Sequence, residues 1–304
     1  AYILGVNPII LGDGGMPVTG VFFATAVASG IACIIMGLVA KYPVGLAPGM
    51  GLNALFTYTI ILGMGNTWET ALAAVFISSI IFLIITVSGL REAILNAIPL
   101  DLKLGIGAAI GFFLAFLGLK GAGIIASDES TYIALGDMLR PQAVLCMVGI
   151  FITTALMKKN VKGSVLIGIL VTYILGIIAE LIGWYQAGVD GYSLIPYFSG
   201  ELNLFNGLSN VAFQFPSTNE IFGSASSIIN FVIVVFSFLF VDLFDTLGTL
   251  MGVANKAGYI NEKGELPKIK QAFLADAIGT TVGALLGTST VTTFVESSAG
   301  VAEG

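Results

Sequence analysis

Long apolar runs, separated by short polar or glycine-rich stretches, follow one another along almost the whole chain. A helix of about 20 apolar residues is long enough to cross the hydrocarbon core of a bilayer. On this basis the pattern predicts about ten helical spans, of which the first and the last are too short to cross. The predicted spans are residues 1–11, 18–40, 46–62, 69–90, 101–125, 142–157, 163–185, 226–253, 270–287 and 290–304.

The composition agrees with this pattern. Of 304 residues, 57% are hydrophobic and 10% are charged, whereas soluble domains carry about 25% charged residues. The predicted fold class is therefore an all-α polytopic membrane protein. Transmembrane β-strands would instead alternate apolar and polar residues over about ten positions. The two cysteines, Cys33 and Cys146, both lie in apolar runs and indicate neither a disulfide framework nor a metal site.

The basic residues predict an orientation. Most of them fall in the loops after even-numbered spans, and by the positive-inside rule these loops and the N-terminus are cytoplasmic. The segment 186–225 contains no Lys or Arg and is predicted to be an extracellular loop. The expected location is the plasma membrane. The basic residues that set this orientation are Lys41, Arg91, Lys158, Lys159, Lys162, Lys256, Lys263, Lys268 and Lys270.

Two carboxylates, Asp242 and Asp245, lie inside the apolar run 226–253, and a third, Asp276, lies in the next span. A charge at membrane depth costs about 2.5 kcal/mol or more, so intramembrane acids usually line the path of a substrate or an ion. Because the chain has no histidine, any proton movement depends on carboxylates. The chain is therefore predicted to move a solute across a membrane.

Two predicted spans are interrupted by sequence that disfavours a helix. Residues 46–53 place one proline and two glycines in four consecutive positions. Residues 288–295 form a run rich in β-branched side chains, which favours extended backbone. Extended backbone at membrane depth must find hydrogen bonds within the protein. We therefore expect the two segments to pair as short antiparallel strands.

The interrupted spans are the third and the tenth, and interruptions at corresponding positions of two halves point to a transporter's binding site. Their separation of seven spans is odd, so the second half enters from the opposite side, which predicts an inverted 7+7 repeat. Asn7–Pro8 is a further predicted interruption, in the first span. The chain starts within a helix and ends just after another begins. We therefore expect it to be part of a longer transporter of about fourteen spans.

Three motifs carry a family resemblance: Ala-Pro-Gly-Met-Gly-Leu-Asn-Ala at 47–54, Asp-Leu-Phe-Asp-Thr-Leu-Gly-Thr at 242–249, and Thr-Thr-Phe-Val-Glu-Ser-Ser-Ala-Gly-Val at 292–301. They closely resemble the signatures of the AzgA-like hypoxanthine/guanine/adenine permeases of the nucleobase-ascorbate transporter superfamily. The resemblance implies fourteen spans in two inverted repeats, divided into a core domain and a gate domain. It implies that residues 1–90 and 226–304 belong to the core and 91–185 to the gate, with the loop 186–225 between them.

The resemblance also implies the site residues. The acid of the eighth span that contacts the nucleobase corresponds to Asp245, and the glutamate of the tenth span corresponds to Glu296. A carboxylate can accept hydrogen bonds from two adjacent N–H groups on the edge of a neutral purine. The predicted substrate-binding residues are Asp245, Glu296, Asn53, Gly51, Thr293 and Phe294, and the predicted proton-coupling residues are Asp245, Asp242 and Asp276. For Asp242 and Asp276 a structural role stays open.

The sequence therefore predicts a secondary active transporter, not an enzyme, that imports adenine, guanine or hypoxanthine by proton symport. The expected partners are the purine, a proton or a sodium ion, the lipid bilayer and possible second copies in a homodimer, with no cofactor, metal or nucleic acid. A uracil or xanthine carrier is the alternative. An anion carrier is disfavoured because two acids in the site would repel its substrate. An intramembrane hydrolase or ion channel is a remote alternative, since a Ser/His dyad and a repeated filter segment are absent from the sequence.

Overall fold

The computed structural model describes residues 2–90, 99–186, 194, 204–261 and 266–303, and most of these are helical. Arg91 and Lys263, two of the basic residues used for orientation, lie outside the described residues. The helices are α1 (Ile3–Asp13), α2 (Val18–Ile35), α3 (Met50–Ala54), α4 (Trp68–Val87), α5 (Leu100–Gly121), α6 (Pro141–Lys158), α7 (Ser164–Leu181), α8 (Leu204–Ser209), α9 (Thr218–Phe222), α10 (Ala225–Ala257), α11 (Ile269–Leu286) and α12 (Ser297–Glu303). Two helices continue as π-helix, α2 over Met36–Ala40 and α3 over Leu55–Gly63. The strands are β1 (Leu46–Pro48), β2 (Ile125–Asp128), β3 (Tyr132–Leu135) and β4 (Val291–Thr293).

Polar residues and a glycine set the ends of the long helices. The Thr67 hydroxyl accepts a hydrogen bond from the Thr70 N–H at the start of α4. The Ser224 hydroxyl accepts one from the Ser227 N–H at the start of α10. Gly258 follows α10 with a left-handed φ of 69°, a conformation that favours glycine. At 1.5 Å per residue, the 33 residues of α10 extend well beyond a hydrocarbon core about 30 Å thick.

Five helices within the described part of the chain are long and apolar enough to cross a membrane. They are Val18–Ala40, Trp68–Val87, Pro141–Lys158, Ser164–Leu181 and Ala225–Ala257. They correspond to the second, fourth, sixth, seventh and eighth predicted spans. The prediction of a helical multi-pass membrane protein is thereby confirmed, while the total of ten spans and the 7+7 repeat stay predictions.

The chain forms two compact units, one of residues 1–110 and 202–302 and the other of residues 111–201. In the second unit α6 and α7 pack side by side where glycines leave room. A Cβ atom on Gly149 would overlap the side chain of Thr172, and one on Gly168 would overlap that of Thr153. Such small contact residues let membrane helices approach closely.

In the first unit, α11 packs against α2 and α4, and α10 packs against α4 and β4. The buried apolar side chains of this unit form two clusters, one containing Phe238 and the other containing Phe273. Along α2, α10 and α11, polar residues separate the positions that enter one cluster from those that enter the other. We call these residues the polar layer: Thr25, Asp242, Asp245, Thr246, Asp276 and Thr280.

The strands β1 and β4 pair in antiparallel orientation, which confirms the pairing predicted for the two interrupted spans. Two further backbone bonds extend this ladder at its ends. Phe294 N donates to Gly45 O at 2.9 Å, and Gly49 N donates to Thr290 O at 3.2 Å. The register places Leu46 opposite Thr293, Ala47 opposite Thr292 and Pro48 opposite Val291.

A second strand pair, the hairpin formed by β2 and β3, was not predicted and corrects the all-α description. The fifth helix ends at Gly121, not at residue 125 as predicted, because the chain turns at Gly123, where φ is +73°. The side chains of β3 are all exposed, so no alternation of buried and exposed residues marks the strand. The Thr131 N–H, its hydroxyl and the Ser130 N–H donate to Asp128 in the hairpin turn and lower the pKa of that carboxyl.

Two other predictions need correction. Pro8 does not interrupt the first span, because α1 continues through it from Ile3 to Asp13; a proline removes only one backbone bond, and here it lies in the second turn. The segment 186–225 is not simply a loop, since its described part contains α8 and α9. Within it Val211 is fully buried, and α8 packs against α2 so closely that a Cβ on Gly20 would lie 2.6 Å from Gly207 O.

Candidate functional site

Alternate backbone groups of β1 and β4 point away from the partner strand, and neighbouring helices supply their hydrogen bonds. The Cys33 sulfur on α2 lies 3.2 Å from Leu46 N and 3.3 Å from Leu46 O, so one thiol can both accept and donate. The Thr280 hydroxyl on α11 donates to Val291 O at 2.8 Å. Pro48 has no N–H to satisfy. These contacts provide strand edges with partners that lipid does not offer.

Asp245 lies beside the junction of β1 and α3. Its Oδ2 atom is 3.5 Å from the position of a Cβ on Gly49, and the Thr292 side chain hydrogen-bonds to its carboxylate. Glycine is required at 49 because a Cβ there would lie 2.6 Å from Thr292 Cγ2. Asp245 is half-buried, whereas Asp242 and Asp276 are 1% and 0% exposed. Asp245 is therefore the most exposed of the three acids of the polar layer.

The Thr246 hydroxyl connects the two buried acids to β4. Its Oγ1 atom lies 3.0 Å from Asp276 Oδ2, 3.4 Å from Asp242 Oδ1 and 3.0 Å from Thr292 Oγ1. A hydroxyl carries one hydrogen and two lone pairs, so it donates to one of these partners at a time. The arrangement holds α10, α11 and β4 together through a single side chain.

Asn53, one of the predicted site residues, is fully buried on α3. Its Oδ1 atom accepts a hydrogen bond from the Ser289 hydroxyl, in the segment that leads into β4. Its Nδ2 atom has no hydrogen-bond partner within the part of the chain that the structure describes. Asn53 therefore joins the two interrupted spans, and its amide N–H groups stay without an acceptor among the described residues.

The structure shows a second buried network around Asn7, a residue that the sequence marked as part of a helix interruption. Asn7 Nδ2 donates to Thr25 Oγ1 at 2.6 Å and to Thr288 Oγ1 at 2.9 Å. All three residues are completely buried. An asparagine and a threonine inside apolar runs were the available signal, but nothing in the sequence indicates their partners.

Glu296 lies just before α12 and is exposed. Its Oε1 atom accepts a hydrogen bond from the Tyr2 hydroxyl. The same hydroxyl lies 3.5 Å from Met50 Sδ, and the ring of Tyr2 is 6.2 Å from that of Phe294. Tyr2 was not selected from the sequence, because a tyrosine at the start of an apolar run carries no distinguishing pattern.

The remaining predicted residues lie on the same two segments. Gly51 is half-buried in the first turn of α3, and Phe294 is half-buried after β4. Thr293 is buried at the end of β4, and its hydroxyl has no hydrogen-bond partner among the described residues. The predicted substrate-binding residues thus lie on β1–α3, on β4–α12 and on α10, and the predicted coupling residue Asp276 lies on α11. Within the described ranges no group of three or more His, Cys, Asp or Glu side chains could hold a metal ion.

Helices long enough to cross a membrane, two interrupted segments that pair as strands, and a partly exposed carboxylate beside the pair are features typical of membrane transport proteins. The family comparison agrees with this class. The chain matches the Permease family model Xan_ur_permease over residues 1–304, its whole length, and it belongs to this family.

Curated relatives match the chain over its full length. It is 45% identical to protein MJ0326 of Methanocaldococcus jannaschii, 41% identical to the guanine/hypoxanthine permease PbuO of Bacillus subtilis, and 36% identical to the adenine permease AdeP of Escherichia coli. The chain spans 65%, 67% and 64% of the lengths of these proteins. The resemblance to purine permeases predicted from the three motifs is confirmed.

Proposed function

We propose that the protein is a secondary active transporter that imports a purine nucleobase, adenine, guanine or hypoxanthine, together with protons. The names of the guanine/hypoxanthine and adenine permeases among its relatives support the substrate class. The observation that carries the site is the half-buried carboxylate of Asp245 beside the paired strands β1 and β4. Of the three acids in the polar layer, it is the most exposed.

In this proposal Asp245 and Glu296 bind the edges of the purine. Each carboxylate accepts hydrogen bonds from N–H groups of the base, and charge-assisted bonds of this kind are about twice as strong as neutral ones. The Thr293 hydroxyl and the backbone at Gly51 supply further contacts. Phe294 supplies an aromatic face against which the flat base can stack.

Asn53 is the proposed donor to an acceptor atom of the purine. Its Nδ2 atom is buried and has no partner among the described residues. A buried donor without a partner costs about 1–3 kcal/mol. A ring nitrogen or carbonyl oxygen of the base would relieve that cost, and this favours binding of a solute that carries an acceptor beside its donors.

Proton coupling is proposed for Asp245, with Asp242 and Asp276 as the buried acids behind it. Three carboxylates in one polar layer repel one another when all are charged. Uptake of a proton by one of them reduces the negative charge of the site. Less charge then has to move through the membrane, where a buried charge is costly. Thr246 lies between the buried acids and β4. A shift of the strand can therefore alter the hydrogen bonds that the two acids receive.

The proposed architecture has fourteen spans in two inverted repeats, with a core domain that moves against a gate domain. We assign residues 1–90 and 226–304 to the core and 91–185 to the gate. A strand followed by a short helix occurs twice, as β1–α3 and β4–α12, and the two strands run antiparallel; this supports the inverted repeat. The protein is proposed to lie in the plasma membrane with its even-numbered loops in the cytoplasm.

An uptake panel tests the function. The full-length protein is expressed in cells that lack purine uptake, and entry of radiolabelled adenine, guanine, hypoxanthine, xanthine and uracil is measured with and without a protonophore. We expect accumulation of at least one of the first three bases, and we expect the protonophore to abolish it. Preference for xanthine or uracil would favour the alternative substrate class. Sodium-driven uptake that resists the protonophore at clamped voltage would reject proton coupling, and no uptake of any base would reject the function.

A further inference from the structure

Tyr2 contacts both of the interrupted segments. Its hydroxyl donates to Oε1 of Glu296, which follows β4, and lies 3.5 Å from the sulfur of Met50, which follows β1. Its ring is tilted by 46° to that of Phe294, with 6.2 Å between the ring centres. A single phenol therefore bridges the two segments that carry most of the proposed substrate contacts.

The arrangement of Tyr2 resembles what a bound purine needs in the same place. A nucleobase requires a flat ring near Phe294 and a hydrogen-bond donor directed at the carboxylate of Glu296. The phenol already supplies both. Glu296 is otherwise exposed, and a flat base that lies against Phe294 and bonds to Oε1 from the position of the phenol has to replace the hydroxyl of Tyr2.

We propose that Tyr2 competes with the substrate: in the empty transporter its phenol occupies the Glu296 side of the site, and a purine binds by displacing the hydroxyl from Oε1. This inference rests on the proposed function and adds a residue to it. Displacement also releases the start of α1 from the segment that contains Glu296. Substrate binding is thereby linked to a change in contact between the first and the tenth predicted spans.

The substitution Tyr2→Phe tests the proposal because it keeps the ring and removes only the hydroxyl. In the reconstituted full-length protein, Kd is measured for the purine that the wild type transports. We expect Kd to fall about tenfold, since the substrate no longer has to break a bond to a charged acceptor. Tighter binding than in the wild type cannot result from general loss of structure.

Tyr58→Phe is the matched control. The Tyr58 hydroxyl donates to Asp13 Oδ2 at 2.9 Å, so the same chemical change is made at another tyrosine–carboxylate pair. We expect Kd to stay within twofold of the wild type. In a Glu296→Gln background, where the amide oxygen accepts only a weaker bond from the phenol, Tyr2→Phe is expected to lower Kd by clearly less than in the wild type.

Two results would overturn the inference. An unchanged Kd in Tyr2→Phe would show that the phenol does not compete, and weaker binding would show that Tyr2 instead holds Glu296 in place for the substrate. If Tyr2→Phe is not recovered in folded form, Tyr2→Leu is expected to change Kd in the same direction. Failure of the wild type to bind any purine would reject the proposed function and this inference with it, so the two failures are distinguishable.

Discussion

The Thr246 hydroxyl lies 3.1 Å from Oδ1 and 3.0 Å from Oδ2 of Asp276, so a side chain on α10 is centred on a carboxylate on α11. Both residues are completely buried. A buried carboxylate is stable only when donors or counter-charges surround it. The contact is therefore part of what holds the two helices together at the level of the polar layer.

Thr246→Val keeps the shape of the side chain and removes the hydroxyl. We expect a loss of about 1.5–3 kcal/mol of stability, the value of a hydrogen bond to a charged group, together with a large loss of purine uptake. Thr281→Val is the control, because the partners of its hydroxyl among the described residues, Ser79 Oγ and Ala277 O, are neutral. Thermal unfolding in detergent and uptake in cells provide the measurements. Equal effects of the two substitutions would contradict the role given to Thr246.

Glu296→Gln is predicted to weaken purine binding while membrane insertion stays normal. The carboxamide has one acceptor oxygen where the carboxylate has two, and loss of a charge-assisted bond weakens affinity about tenfold to a hundredfold. The binding constant is measured by displacement of a radiolabelled purine. The matched control is Glu220→Gln, since Glu220 is an exposed residue that caps α9. Affinity within a factor of two of the wild type would remove Glu296 from the site.

Asp245→Asn is predicted to abolish concentrative uptake and the accompanying proton movement, because a carboxamide does not take up a proton at physiological pH. Some purine binding or exchange can persist, since the amide oxygen still accepts a hydrogen bond. Uptake and internal pH are followed together in vesicles with an imposed proton gradient. Asp128→Asn, in the β2–β3 turn, is the control. Accumulation at near-normal rates that the protonophore still abolishes would exclude Asp245 as the coupling acid.

The orientation can be tested with cysteines at two described positions in a cysteine-free background. Asn160 lies between α6 and α7, and Ser130 lies in the turn between β2 and β3. The positive-inside rule places Asn160 in the cytoplasm and Ser130 outside. An impermeant thiol reagent applied to intact cells is expected to label Ser130→Cys, and to label Asn160→Cys only after the cells are opened. Labelling of both from one side would show an error in the number of spans between them.

The strand edges give a prediction about stability. Cys33→Ala removes the only side chain seen to bond the outward N–H and C=O of Leu46 among the described residues. Since an orphaned backbone group costs about 1–3 kcal/mol, we expect a clear drop in Tm. Cys146→Ala, at another half-buried cysteine, is the control, and Cys33→Ser is expected to restore much of the stability. Equal Tm values for Cys33→Ala and Cys146→Ala would contradict this account.

The pairing of β1 with β4 could be predicted because proline, glycine and β-branched residues exclude a helix at both sites and lipid cannot satisfy extended backbone. The side chains that bond to the strand edges could not be predicted. Cys33 and Thr280 lie in ordinary apolar helical runs, and only the three-dimensional packing brings them to the strands. Tyr2 was missed for the same reason, since Phe294 and Glu296, which it contacts, are almost the whole length of the chain away.

The exposed hairpin β2–β3 could not be predicted from the sequence for a different reason. Sequence patterns identify strands through alternation of buried and exposed side chains. In β3 every side chain is exposed, so this alternation is absent. The opposite occurs at Val211, which is fully buried inside the segment that was predicted to be an extracellular loop. Burial there depends on α8 reaching α2, a contact between distant parts of the chain.

The pairing of β1 and β4 also has a consequence for biosynthesis. About 240 residues separate the two strands along the chain. At roughly 5–20 residues per second, a ribosome needs about 12–50 s to synthesise that interval. During this time β1 has been made but its partner has not, while α1 and α2, which contact β1 in the described structure, have already been synthesised. Pairing of β1 with β4 is therefore a late event in folding, which follows emergence of β4 from the ribosome.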